Sequence, residues 1–175
     1  MKKLRKTLGT WDAPCTQSLV RLIDTQSQKT ICRWCIDYAR SVILPIFEER
    51  RPGDDRPRRA LDAADGYLDG KVKFQEVKEL ILRECHAAAR ESDDPAAQAA
   101  ARAVGQASAV VHTLSHSVSK YFYGAAAVAY STLGSNGTAD EYNRVAEEEC
   151  ARMEAALRSI SVPDEMDPAR INWGC

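Results

Sequence analysis

From Pro95 to Leu133 the chain is rich in alanine and holds no second proline, with only Gly105 and Gly124 to interrupt it. Alanine loses no side-chain entropy in a helix and straight-chain residues lose little, so a run of this length reads as helix, broken at most near Gly124. Nowhere does the chain alternate apolar and polar residues with the period of two that a half-buried strand requires. The feature commits the chain to the all-α class.

The flanking segments agree. A first helix is expected from about Pro14 to Gln26, with Leu19, Leu22 and Ile23 on one side. A second runs from about Gln28 to Glu49 on the stripe Ile31, Trp34, Cys35, Tyr38 and Val42, with a kink or break near Leu44 because Pro45 lies inside the pattern. A third spans about 57–69, opened by Pro57 and closed by Gly70. A fourth, about 73–91, buries Phe74, Val77, Ile81, Cys85 and Ala88. Asp94 and Pro95 suit the N-cap and first position of the fifth, and Thr138 with Glu141 forms a capping box for a sixth that ends near Ile160. Residues 1–12 read as an N-terminal arm and 162–175 as an extended C-terminal tail held by Ile171 and Trp173. Short loops between helices predict a single-domain antiparallel bundle of about six helices.

Composition narrows the function. With 45% hydrophobic and 28% charged residues the chain is neither disordered nor membrane-like. No apolar run approaches the roughly 20 residues that span a bilayer, and the basic start Met1-Lys-Lys3 leads into Trp11 and Pro14 rather than a secretory apolar segment, so the expectation is a cytoplasmic protein. In that compartment the six cysteines read as small packing residues. Cys32 and Cys35 have the spacing of a redox or zinc pair, but no strand precedes them and no second pair exists, which points to packing again.

A net charge of −1 carries no nucleic-acid signature. Its distribution is uneven: residues 1–60 hold 13 basic and 7 acidic side chains, residues 138–175 hold 4 and 9. Two surfaces are therefore candidates for a charged protein partner, the basic group Arg50, Arg51, Arg56, Arg58 and Arg59 and the acidic pair Glu147 and Glu148. Either is equally an ordinary solvated face.

All three histidines lie mid-chain. On a continuous fifth helix His112 and His116 stand four apart on a strip of small residues that includes Ala101, Gly105, Ser108 and Ala109. Val104, Val111 and Val118 mark its greasy face, and Gln106, Thr113, Ser117 and Lys120 its wet face. Small side chains admit a neighbouring backbone, make a dimer seam, or leave a hollow lined by imidazoles. In the last case His112 and His116, with His86 from the fourth helix and Cys85 or Glu149 nearby, form a pocket for a divalent metal or small molecule. No glutamate adjoins them as the metalloprotease motif requires, and structural histidines give the same pattern. No cofactor is otherwise expected and no catalytic set is evident. Glu149 interrupts the stripe Tyr142, Ala146, Cys150 and Met153, so it must find an arginine or histidine partner, lose its charge, or sit at an exposed edge.

Leu44-Pro-Ile-Phe-Glu-Glu49, Cys85-His-Ala-Ala-Ala-Arg90, Ala99-Ala-Ala-Arg-Ala-Val-Gly-Gln106 with His112 and His116, and Ile171-Asn-Trp173 carry a resemblance to the Imm-5-like immunity proteins, small bacterial all-helical proteins. It runs from Trp11 to the end. The resemblance implies a non-enzymatic cytoplasmic binder that neutralises a cognate toxin, and it supplies no site residues.

Overall fold

The computed structural model describes residues 4–174; Cys175 and the basic Met1–Lys3 lie outside them. Among the described residues there are nine α-helical segments, two π-helical stretches and no strand. In chain order they are α1 (Pro14–Ile23), α2 (Gln28–Tyr38), a π stretch (Ala39–Ile43), α3 (Leu44–Arg50), α4 (Arg56–Leu68), α5 (Phe74–Glu79), a second π stretch (Leu80–Cys85), α6 (His86–Glu91), α7 (Pro95–Ala109), α8 (His116–Leu133) and α9 (Ala139–Ile160). The all-α class is as the sequence indicates. Nine segments replace six because three of the expected helices are interrupted.

The punctuation behaves as its chemistry requires. Asp94 accepts a hydrogen bond from the Ala97 N–H at 2.8 Å with Pro95 behind it, and Thr138 and Glu141 make the reciprocal capping box. Gly70 closes α4 with φ +72°, a conformation an L side chain resists. Pro45 has no N–H to give and its ring crowds the preceding turn, and the chain answers by widening the turn before it into the Ala39–Ile43 π stretch.

The expected fifth helix is corrected. It does not run to Leu133: it stops at Ala109, turns through 110–115 and restarts at His116, whereas Gly124 lies inside unbroken α8. α7 and α8 then fold back against each other as a hairpin. Alanines on nearly every side let α7 sit at the centre of the bundle, in contact with α3, α4, α6 and α8. Of its small-residue strip, read above as a dimer seam among other things, Ala101, Gly105 and Ser108 are buried against neighbouring helices of the same chain, whereas Ala109 stays half-exposed. The buried apolar residues form one continuous core from Leu8 to Leu157.

The break also resets the helical phase. Ser117 and Lys120, assigned to the wet face of a continuous helix, are fully buried. Beyond α9 the chain is irregular. Its tail is held by Gln26, whose side-chain carbonyl accepts from the Val162 N–H at 2.7 Å and whose backbone carbonyl accepts from the Ala169 N–H at 2.9 Å. Trp173 Nε1 donates to Asp24 Oδ1 at 3.0 Å, and its ring lies 5.6 Å from that of Trp11. Among the described residues no helix is long and apolar enough to cross a membrane.

Candidate functional site

The break at 110–115 places two of the three histidines at one cleft by a route other than helical spacing. His116 opens α8, and its Nδ1 meets Gln106 Oε1 of α7 across the hairpin at 2.5 Å. His112 sits in the turn, exposed, with its ring 4.4 Å from that of Phe74 at the start of α5. Between them lies a hollow of about 210 Å³ lined by Phe74, Lys78, Ile81, Leu82, Ala109, His112 and His116. A second, more polar hollow of about 270 Å³ lies against His112, Thr113 and Ser115 and is closed by Arg170, Ile171 and Asn172 of the tail.

The remaining members of the expected three-histidine pocket go elsewhere. His86 packs its ring into the space left by Gly105, where an added Cβ would stand 2.9 Å from its Cε1. Cys85 is buried and donates to the Ala101 carbonyl at 3.1 Å. Glu149 is buried too, and its partners are Tyr38, whose hydroxyl donates at 2.7 Å, and Arg152 at 2.8 Å. The exposed-edge alternative for Glu149 is therefore excluded, and an arginine takes the role a histidine was offered. Among the described residues no three His, Cys, Asp or Glu side chains converge as a ligand set for a metal ion. Burial holds His116 and His86 below the ordinary imidazole range; His112 adds to the effect on His116, and Arg90, Arg102 and His116 add to it on His86.

The basic group is satisfied largely from within. Arg50 reaches Glu49, Asp94 and the Ser131 carbonyl; Arg56 holds Asp54 at 2.7 Å and Glu91 at 2.8 Å. Arg58 forks onto both oxygens of Glu48 at 2.7 and 2.9 Å, and Arg59 pairs with Asp55 and Glu84. Only Arg51 of the five makes no ion pair among the described residues. Glu147 and Glu148 are the reverse: exposed on α9, with no ion pair among the described residues.

Two features escaped the sequence. Leu82, an apolar residue off the buried stripe of its helix, is 53% exposed at the mouth of the cleft, and its off-stripe position was the available signal. Lys120 is fully buried, finds no nitrogen or oxygen hydrogen-bond partner among the described residues, and rests its ammonium 3.6 Å from the centre of the Trp34 ring. Burial holds its pKa below the ordinary lysine range, opposed by Cys35 and Glu149. Cys32 and Cys35 are fully buried packing residues, with thiols pushed up to about 12 and about 11 by burial.

The family model for the Imm-5 like putative immunity protein matches residues 21–156, most of the chain. This chain belongs to the Imm-5-like immunity family. The matched residues include α2 to α8 and nearly all of α9, and so the whole cleft, while the Trp11–Trp173 contact lies outside them. No curated protein and no solved structure matches this family member.

Proposed function

We propose that this member of the immunity family is a non-enzymatic cytoplasmic binder that neutralises a cognate bacterial toxin. The family match over residues 21–156 is the observation that carries the reading. The surface adds direction. Arginines already paired with the chain's own carboxylates offer little to a partner, since a new contact must first break an existing pair. Among the described residues Glu147 and Glu148 have no such competitor, which favours a partner with a basic surface. Unpaired surface charges act over about a Debye length, roughly 8 Å at physiological salt, and so steer encounter more than they hold the complex.

The test is co-expression with each candidate toxin found encoded beside this gene. The wild-type chain is expected to restore growth, and loss of growth despite abundant folded protein would refute the reading. With the purified pair, Glu147→Lys combined with Glu148→Lys is expected to slow association by about tenfold at low salt and to leave dissociation nearly unchanged. An equal effect from Arg58→Ala would instead place the contact on the basic group.

A further inference from the structure

The cleft at the hairpin turn opens off the core, with Ile81 inside it and Phe74 and Ala109 packed against it. Phe74, Ile81, Leu82 and Ala109 give it apolar walls, His112 and His116 complete its lining with Lys78, and no side chain among the described residues fills its 210 Å³. At the mouth Leu82 is 53% and Tyr67 36% exposed, Tyr67 is set edge-on to Phe74 at 5.9 Å, and the exposed Lys78 is the one cationic side chain of the lining. Burying Leu82 would normally be favourable, and the π stretch that carries it instead presents it to solvent.

The size of the hollow selects its occupant. Sites for whole small-molecule ligands run to roughly 300–1,000 Å³, and this one is smaller, with room for one ring system. An apolar socket with exposed Leu82 at its lip and charged residues around it is the arrangement of an anchor pocket at a protein interface, in which one aromatic side chain supplies much of the affinity.

The hydrogen bond across the hairpin selects the polar feature. Gln106 Oε1 accepts from His116 Nδ1, so the proton of the neutral imidazole sits there and Nε2 keeps a lone pair. Because His116 lines the cleft and its Nδ1 is taken by Gln106, an occupant with one ring-edge donor can use the remaining nitrogen where a plain hydrocarbon leaves it unpaired. His112, whose ring is tilted at 45° to that of Phe74 with centroids 4.4 Å apart, adds a second aromatic ring beside it.

We propose that the cleft lined by Phe74, Ile81, Leu82, Ala109, His112 and His116 is a socket for one tryptophan or tyrosine side chain of the protein partner, with His116 Nε2 accepting from its indole N–H or phenol O–H. This rests on the binder reading above and names its anchor; the carboxylates of α9 steer, and the socket holds.

Two experiments separate the claims. In the first, 15N-resolved NMR of the full chain is followed during titration with indole and with 1-methylindole, the same ring without a donor. Indole at millimolar concentration is expected to shift resonances of Phe74, Leu82, His112 and His116, with 1-methylindole binding about tenfold more weakly because it leaves the imidazole acceptor unpaired. Indole shifts that are absent or centred elsewhere overturn the socket. Equal affinity for the two probes overturns the role of His116. In the second, Ala109→Phe plugs the cleft and Leu82→Ser removes its exposed lip, and each variant is tested for protection against the neighbouring toxin after its circular dichroism is matched to wild type. Both are expected to lose protection. Protection retained by a folded Ala109→Phe variant sinks the socket alone, whereas wild type failing to protect sinks the binder reading and leaves the indole titration to judge the socket.

Discussion

Lys120 occupies a position where an uncharged side chain of similar length would cost less. Its ammonium has lost its hydration and gains, in return, the neighbouring Cys35 sulfur, the field of Glu149 and the faces of Trp34 and Tyr38. Glu149 keeps Tyr38 and Arg152 whatever happens at position 120. Lys120→Met is therefore expected to raise stability at pH 7 by about 1–2 kcal/mol, as uncharged replacements of buried ions often do. The pH dependence has a definite sign. Unfolded lysine holds its proton up to about pH 10.4, and the folded group releases it earlier, so between the two the unfolded chain binds more protons and wild-type stability rises with pH. Buried thiols act oppositely: Cys32 and Cys35 titrate near 12 and near 11 when folded against about 8.5 when unfolded, so their contribution falls above pH 8.5. Cys32 cancels between wild type and variant, and at pH 9.5 Cys35, near 11 beside Lys120 and pushed higher without it, keeps its proton in both folded chains. Urea melts at pH 7 and 9.5 should show the advantage of Lys120→Met shrinking as pH rises, and a constant advantage would mean Lys120 is not the group titrating.

Two glycines, one in each arm of the α7–α8 hairpin, give contrasting expectations at the scale of the element. Gly105→Ala drives a Cβ to 2.9 Å from the His86 ring, which is wedged against α7, and should cost about 1–3 kcal/mol by overpacking. Gly124→Ala meets the terminal methyl of Met153, a flexible end that can swing aside, and gains about 0.8–1.0 kcal/mol of helix propensity, so it should be neutral or stabilising. Thermal melts of the two variants decide both. The same hairpin shows what was legible beforehand. Caps and prolines announced helix starts because their chemistry is local: Asp94, Pro95 and Thr138 act on backbone within three residues. The interruption was misplaced because glycine invited it, yet Gly124 is retained inside α8 where Met153 and Ile43 close on it. The turn falls instead on Val110, Val111, Thr113 and Ser115, weak helix formers in a run whose alanines mask them. Once the phase resets there, no reading of a continuous helix can place Lys120 inside or bring His116 to Gln106. The cleft had a visible token in Leu82, but its opposite wall depends on a chain reversal that only tertiary packing decides.

For the molecule as a whole, the tail completes the bundle through one side chain. Gln26 is 2% exposed, exchanges hydrogen bonds with both the N–H and the carbonyl of Val162, and takes the Ala169 N–H on its own carbonyl. Replacing it by leucine removes the side-chain pair and leaves the Val162 groups without partners. Gln26→Leu is expected to keep helical circular dichroism intact while trypsin cleaves after Arg170 about tenfold faster, the change in local opening that loss of such a hydrogen bond brings. Unchanged cleavage would show that Ile171 and Trp173 hold the tail unaided. Closure of the tail also brings Trp173 to 5.6 Å from Trp11 with the ring planes at 52°, while Trp34 lies sealed in the core. Indoles so close and so tilted couple their electronic transitions, and the coupling disappears when the rings part. The protein thus carries its own unlabelled optical gauge: an exciton couplet that follows the docking of its two ends, read against a third chromophore that stays silent until the core itself melts.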